Sequence, residues 1–242
     1  MFFLILLAIS VPATSQEPGL GDLLPAGQAS VSGRIIQYVA LLTVLSVAPG
    51  LLIMVTSFTR FVIAFSFLRS GLGLQSTPAT MVLVSLALFL TFFVMAPVFE
   101  QSWKEGLAPY TANAISEDQA YDRITKPFRT FMSKNVREKD LALFESLALE
   151  RGLSLNKRPE TVLRILVPAF MISELRRGFE IGFLIALPFL VIDLIVTMLT
   201  MSMGMMMLPP TVISLPFKVL FFVLIDGWNL LAGSLVNSFT ST

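Results

Sequence analysis

The chain has 242 residues, of which 55% are hydrophobic and only 14% are charged, and its mean hydropathy is +0.80. This composition exceeds what a soluble domain needs to bury one core, and it predicts an integral membrane protein. We predict an all-α fold of helical hairpins with broken helices and an extracytoplasmic helical insertion. The net charge of +1 gives no electrostatic reason to expect nucleic-acid binding. Because the sequence contains no Cys and no His, disulfides, thiol or imidazole catalysis and the usual zinc sites are excluded, and we predict neither enzyme activity nor a cofactor.

The beginning of the chain, residues 1–15, has the form of a signal peptide. An apolar run from Phe2 to Val11 is followed by the small residues at 13–15. We predict cleavage before Gln16, and the absence of Lys and Arg from the first residues leaves an uncleaved short anchor as the alternative. Residues 16–34 are rich in Gly, Pro and polar side chains, which predicts a flexible lead-in outside the cytoplasm.

Residues 35–100 are predicted to form a first transmembrane hairpin. The apolar tract from Ile35 to Leu68 is too long for one membrane span of about 20 residues and too short for two spans with a turn, so we predict broken helices. The break is placed at Pro49-Gly50, because proline removes a backbone donor and glycine loosens the chain. A single span kinked at the proline is the alternative.

The link from Ser70 to Pro78 joins this tract to the next span. Arg60 and Arg69 flank this link, which is the only compact basic link in the sequence, so the positive-inside rule places it in the cytoplasm. The uncharged run from Ala79 to Phe99 then crosses the membrane again, with Glu100 just beyond its end.

Residues 101–160 carry charges of both signs, which predicts a solvated helical domain on the periplasmic side. A capping box at Ser116 begins a helix with apolar residues at helical spacing, interrupted by Pro127. A second helix is predicted from Glu138 to Glu150, with Gly152 as its left-handed cap. We expect these two helices to pack on each other.

Residues 161–242 are predicted to form a second gate hairpin that carries the methionine-rich turn. The apolar tract from Thr161 to Phe239 contains a cluster of charged residues in its first half. On a helix, residues three or four positions apart lie side by side. Glu174 can therefore pair with Arg177, and Arg176 with Glu180, so that the charges neutralise each other. Ionisable groups in such a tract are costly and indicate function. Two interpretations of these charges remain: they form ion pairs that hold adjacent subunits together, or they have a role in transport or proton sensing.

The same tract contains two further features. Gly178 and Gly182 form a small-residue step that lets another helix approach closely. Asp193 and Asp226 lie on neighbouring predicted helices, which invites comparison with intramembrane aspartyl proteases. Neither has the Gly-x-Gly-Asp context of those enzymes, and Lys218 is a predicted salt partner for one of them.

The stretch from Thr197 to Pro210 holds half of the methionines. Because methionine side chains are unbranched and polarizable, the run at its centre predicts a soft apolar contact, formed by Met205, Met206 and Met207. Gly204, before the run, gives the backbone conformational freedom. Pro209 and Pro210, after it, are predicted to act as a hard stop, where a preceding helix cannot continue. Simple filling of gaps between helices is an alternative, and a thioether copper(I) site is another.

Several blocks of the sequence resemble one known family, and they are spread over nearly the whole chain after Gly33. They comprise residues 54–60, 86–93, 137–144, 168–175, 178–183, 204–210 and 226–228. The chain is similar in these blocks to the FliP/SctR family of type III export-gate proteins. The signal peptide and the Arg-Glu-Lys-Asp sequence that begins at Arg137 favour the flagellar branch of that family over the injectisome branch.

This resemblance implies a pore that passes unfolded flagellar subunits across the bacterial inner membrane at the flagellar basal body. It implies a pentameric ring joined by FliQ and FliR, together with other membrane proteins of the export apparatus. It also implies that Met205, Met206 and Met207 are the gasket of the pore, that Gly204, Pro209 and Pro210 form its hinge, and that Glu174 is a contact between subunits. A small-solute transporter built on broken helices is the alternative function.

Overall fold

The computed structural model describes residues 31–152, 159–204 and 209–240. Every regular element in these ranges is helical, as the all-α prediction requires. The chain divides into two compact units, residues 1–47 and 48–242. The helices are α1 Val31–Met54, α2 Phe58–Gly71, α3 Thr80–Ser102, a π-helical turn Trp103–Leu107, α4 Ala108–Thr111, α5 Glu117–Asn135, α6 Glu138–Glu150, α7 Pro159–Ser202, α8 Pro210–Leu224 and α9 Gly227–Thr240.

The first apolar tract is broken, as predicted, but the predicted position of the break is wrong. Helix α1 continues through Pro49-Gly50, and the break lies at Val55–Ser57. A proline within a helix removes one hydrogen bond, which a long apolar helix can tolerate. At the break itself, Thr56 Oγ1 accepts a hydrogen bond from the Phe58 N–H (3.5 Å), and this side-chain partner replaces the helical one.

The most extensive helix contact in the second unit joins α2 to α7. Helix α2 buries a stripe with helical spacing, Phe61, Ala64, Phe65 and Leu68, and this stripe forms the centre of the main apolar core. On the facing helix, a Cβ added to Gly182 would lie 2.6 Å from Phe67 Cγ. The predicted close approach at the small-residue step is therefore confirmed, and its partner is α2.

Substitution of Gly182 by Ala is expected to destabilise the protein by about 1–3 kcal/mol, because the new methyl group overlaps Phe67 and pushes α2 away from α7. Gly233→Ala is the matched control. A Cβ at Gly233 in α9 would meet nothing within 4 Å, so the better helix propensity of Ala is expected to stabilise by up to about 1 kcal/mol. Thermal unfolding of the two variants in the same detergent checks these opposite signs, and equal shifts would contradict the close packing.

The charged middle of the chain has the predicted helices in an unexpected arrangement. The capping box at Ser116 is present, α6 has the predicted bounds, and Gly152 has φ +70°. Helix α5 runs through Pro127 without ending. The prediction that α5 and α6 pack on each other is wrong. Helix α6 packs chiefly against α7, whereas α5 packs against α7, α3 and the π-helical turn, and Met132 of α5 is buried with Leu166 and Phe170 of α7.

Two of the described helical segments, Thr80–Thr111 and Val162–Ser202, are long and apolar enough to cross a membrane. Two bent helix pairs raise that number to four if each pair counts as one span. One of them is formed by α8 and α9, which meet at an angle of 63°. Helix α7 itself contains 44 residues and is continuous through Pro168 and Pro188.

Candidate functional site

A buried ion pair ties α2 to the middle of α7. Arg60 Nη2 lies 2.5 Å from Glu174 Oε1, and Arg60 Nε donates to Glu174 Oε2 at 2.9 Å. Both side chains are 0% exposed. This two-point geometry matches the planar guanidinium to the carboxylate, which is the arrangement that makes a desolvated pair tolerable.

Arg60 also holds the end of α9. Its Nη1 donates to Ser238 Oγ at 2.7 Å and to the Ser238 carbonyl at 3.3 Å, and its Cζ lies 3.6 Å from the centre of the Phe239 ring. A guanidinium that faces an aromatic ring gains a cation–π attraction. One arginine therefore joins three helices that are far apart in the sequence.

These contacts change the prediction for Glu174. Its predicted helical neighbour Arg177 is not its partner, because α2 brings Arg60 to both carboxylate oxygens. Arg177 makes no hydrogen bond or salt bridge with any residue in the described part of the chain. Within the single chain the Glu174 carboxylate is enclosed, and the contact between subunits that the family resemblance implies for Glu174 stays a prediction.

The other predicted pair on this helix is confirmed. Arg176 Nε donates to Glu180 Oε1 at 2.7 Å, and both side chains are exposed. An exposed pair one helical turn apart contributes about 0.3–0.5 kcal/mol, so it has a small share in stability.

The residue beside Glu174 connects α7 to α6. Ser173 Oγ donates to Asp140 Oδ2 at 2.7 Å and accepts a hydrogen bond from the Arg137 N–H at 3.1 Å. Asp140 in turn pairs with Arg137 at 3.1 Å. Helices α2 and α6 are thus attached to α7 at the adjacent residues Glu174 and Ser173, and α9 is joined to this point through Arg60 of α2.

A second ionic cluster lies further along α7, closer to the methionine stretch. Lys218 Nζ on α8 is 2.6 Å from Asp193 Oδ2, and Ser214 Oγ donates to Asp193 Oδ1 at 2.6 Å. The ammonium also donates to the Gly71 carbonyl at the end of α2 (3.0 Å). The prediction that Lys218 pairs with one of the two aspartates is confirmed for Asp193.

Asp226 lies apart from this cluster, in the turn between α8 and α9. It has φ +52°, its side chain is exposed, and Oδ2 accepts a hydrogen bond from Asn229 (3.1 Å). Asp193 and Asp226 therefore have separate partners and do not form the shared-proton pair that an aspartyl protease needs.

The methionine stretch begins at the end of α7. That helix ends at Ser202, Gly204 has φ +72° in the turn that follows, and Met201 and Met203 are 66% and 70% exposed. The left-handed backbone of Gly204 agrees with its predicted freedom. The predicted gasket residues Met205, Met206 and Met207 lie outside the described residues.

The prolines after the methionines begin a helix. Pro209 has φ −64° and ψ 122° and precedes α8, and Pro210 occupies its first position. Proline is favoured there because the first N–H of a helix has no partner to lose. The predicted hard stop is thus the start of α8, and the role of these residues as a hinge stays a prediction.

Sequence reasoning missed Arg60 as the partner of Glu174 and missed the bonds of Ser173 and Ser214. A usable signal existed for Arg60, which is a single charge within an apolar tract and must have an opposite charge nearby. The partners of the two serines could not be predicted, because a serine within a long helix gives no indication in the sequence of which distant group its hydroxyl will bind.

Apolar helices long enough to cross a bilayer, joined by ion pairs buried between them, define an α-helical integral membrane protein. A sequence model of the FliP family matches residues 41–235. The chain belongs to the FliP family.

Individual relatives agree with this assignment. Flagellar biosynthetic protein FliP of Agrobacterium fabrum (strain C58) is 66% identical over 210 residues, which are 87% of this chain and 86% of that protein. The protein of that name from Rhizobium meliloti (strain 1021) is 60% identical over 238 residues, 98% of this chain and 97% of that protein. The one from Bacillus subtilis (strain 168) is 55% identical over 205 residues, 84% and 91% of the two chains.

Proposed function

We propose that this chain is a subunit of the flagellar type III protein export gate and forms part of the pore that passes unfolded flagellar subunits across the inner membrane. The observation that carries the proposal is the similarity over nearly the whole chain to proteins named flagellar biosynthetic protein FliP. The chain itself has no catalytic role in this proposal.

The arrangement of α7 and α8 supports a seal at the methionine stretch. The Asp193–Lys218 pair joins α7 to α8, the two helices that flank the methionine stretch in the sequence. Thioether side chains adapt to irregular surfaces, and a passage for many different sequences needs a contact that does not select among them. Met205, Met206 and Met207 are therefore proposed as the gasket, with Gly204, Pro209 and Pro210 as its hinge.

The exposed apolar side chains support assembly with other membrane components. Phe89, Phe92 and Phe93 of α3 and Leu184 and Leu194 of α7 all have more than half of their surface exposed in the single chain. Such surfaces must be covered by lipid or protein. We propose a pentameric ring that binds FliQ and FliR within the flagellar basal body.

The transporter alternative receives less support from the geometry. A transporter of that type binds its solute where helices are broken near the middle of the bilayer. At the break after α1, Thr56 and Ser57 are buried by other side chains, and at the turn after α8 the exposed Asp226 is bonded to its neighbour Asn229. Neither break leaves an open polar site at which a solute could bind in the described part of the chain.

The test is ion leak across the inner membrane in cells whose Met205, Met206 and Met207 are all changed to Ala. If the methionines seal the pore, leak is expected to rise while export of a filament subunit continues. The matched control changes three exposed methionines elsewhere, Met54, Met81 and Met198, to Ala and is expected to leave leak unchanged. Loss of assembly without leak would show that the methionines are packing and that the pore closes at another point.

A further inference from the structure

A small apolar cavity lies where α2, α3, α8 and α9 meet. Its volume is about 160 Å³, and its inner wall is formed by the buried side chains of Phe65, Leu68, Leu83 and Phe222. An apolar cavity of about this size can stay free of water and accept an apolar group as large as a benzene ring. The inner wall therefore suits a stretch of hydrocarbon better than a polar ligand.

The mouth of the cavity is apolar and open to the outside of the chain. Val219 and Val223 of α8 line it and are 37% and 67% exposed. Trp228 of α9 also lines the cavity, and the centre of its ring lies 5.4 Å from that of Phe222. Trp side chains with one apolar and one polar end are typical of the zone where hydrocarbon meets lipid headgroups.

The positively charged side chain of Arg69 lies at this cavity and has no carboxylate partner among the described residues. Arg69 is part of the lining, and its Nη1 donates to Thr80 Oγ1 at 2.8 Å. No described carboxylate lies within salt-bridge distance of Arg69, and the link from Ser70 to Pro78 contains no Asp or Glu. The nearby Lys218 is already neutralised by Asp193. A guanidinium has five N–H donors, so most of those of Arg69 remain available to a ligand.

We propose that this cavity binds one anionic phospholipid, with part of an acyl chain inside it and the phosphate on Arg69. Arginine binds phosphate with two parallel hydrogen bonds, and the apolar mouth at Val219 and Val223 lets the rest of the acyl chain leave toward the bilayer. The apolar wall selects hydrocarbon, and the unpaired cation selects the negative headgroup. This inference requires only that the chain is a membrane protein, so it is independent of the export role.

The experiment uses the purified full-length protein in a mild detergent. It is titrated with phosphatidylglycerol or with phosphatidylcholine of identical acyl chains, and bound lipid is counted by native mass spectrometry. One site is expected to bind phosphatidylglycerol about five-fold more tightly, which is the ratio for about 1 kcal/mol from one basic residue at an anionic surface. Arg69→Gln is expected to reduce this ratio to about one. Binding of phosphatidylcholine is expected to weaken less than binding of phosphatidylglycerol, because the choline cation already offsets the charge of its phosphate.

Two further variants test the position of the lipid. Val223→Trp adds a large ring at an exposed position on the mouth and is expected to weaken binding of both lipids. Arg176→Gln removes another arginine of the chain, one that is exposed and paired with Glu180, and is expected to keep the wild-type ratio. No preference in the wild-type protein, or an unchanged preference in Arg69→Gln, would overturn the proposal.

A protein occupant is the remaining possibility that the test must detect. Because the chain has no cysteine, Val223→Cys introduces a single thiol at the mouth. If this thiol reacts freely in lipid and is protected only after assembly with other membrane proteins, and if no phosphatidylglycerol is retained at the site, then the cavity is a protein interface and the lipid assignment is wrong.

Discussion

Replacement of Glu174 by Gln is expected to lower the free energy of unfolding by about 3–5 kcal/mol and to reduce sharply the amount of protein in the membrane. The substitution keeps the size of the side chain and removes its charge. Arg60 would then remain buried without an opposite charge, with Ser238 and Phe239 as its remaining partners. An uncompensated buried charge is the most expensive result of breaking such a pair.

The control for this prediction lies on the same helix. Glu180→Gln also removes one carboxylate from an ion pair with arginine, but that pair is exposed, so stability is expected to change by about 0.5 kcal/mol or less. Thermal unfolding in one detergent compares the two variants. If both lose the same stability, burial of the Arg60 pair has no energetic consequence and the packing argument fails.

A double variant separates the structural role of this pair from a role in sensing protons. Arg60→Met combined with Glu174→Leu replaces the pair by apolar side chains of similar size, and such replacements are often neutral or stabilising. We expect the double variant to recover at least half of the stability lost in Glu174→Gln. If it is as stable as wild type but fails in export, the charges have a functional role beyond holding α2, α7 and α9 together.

Replacement of Asp193 by Asn is expected to cost about 2–3 kcal/mol. Lys218 would keep its bond to the Gly71 carbonyl and lose the carboxylate that neutralises it, although its side chain is only 4% exposed. The expected cost is below that for Glu174 because Asp193 is 29% exposed, and water can replace part of the lost interaction.

Asp226→Asn is the matched control for Asp193→Asn. It removes one negative charge from the same C-terminal region, and Asn tolerates the positive φ of this position. Its side chain is exposed, so stability is expected to stay within about 0.5 kcal/mol of wild type. Equal losses in the two variants, measured by unfolding in detergent, would show that net charge matters and that the pair with Lys218 does not.

The sequence by itself determined the class of this protein and most of its helices. Apolar length predicted the span at Ala79 to Phe99, and the local chemistry of the capping box and of the charged pattern predicted α5 and α6. These features depend on residues within a few positions of each other, where helical spacing decides which side chains meet. The pairing of Arg176 with Glu180 was predictable for the same reason.

Contacts between distant residues were decided only by the tertiary structure. Glu174 had an oppositely charged neighbour one turn away, and yet its partner is Arg60, 114 positions earlier, because the close approach of α2 at Gly182 buries both charges together. Helices α5 and α6 turned their apolar stripes toward α7, which offers a longer apolar surface than either offers the other. The spacing of residues along a helix determines which side chains can meet within that helix. Burial then determines the final contacts, because a charge removed from water needs an opposite charge beside it and an apolar face needs another apolar surface.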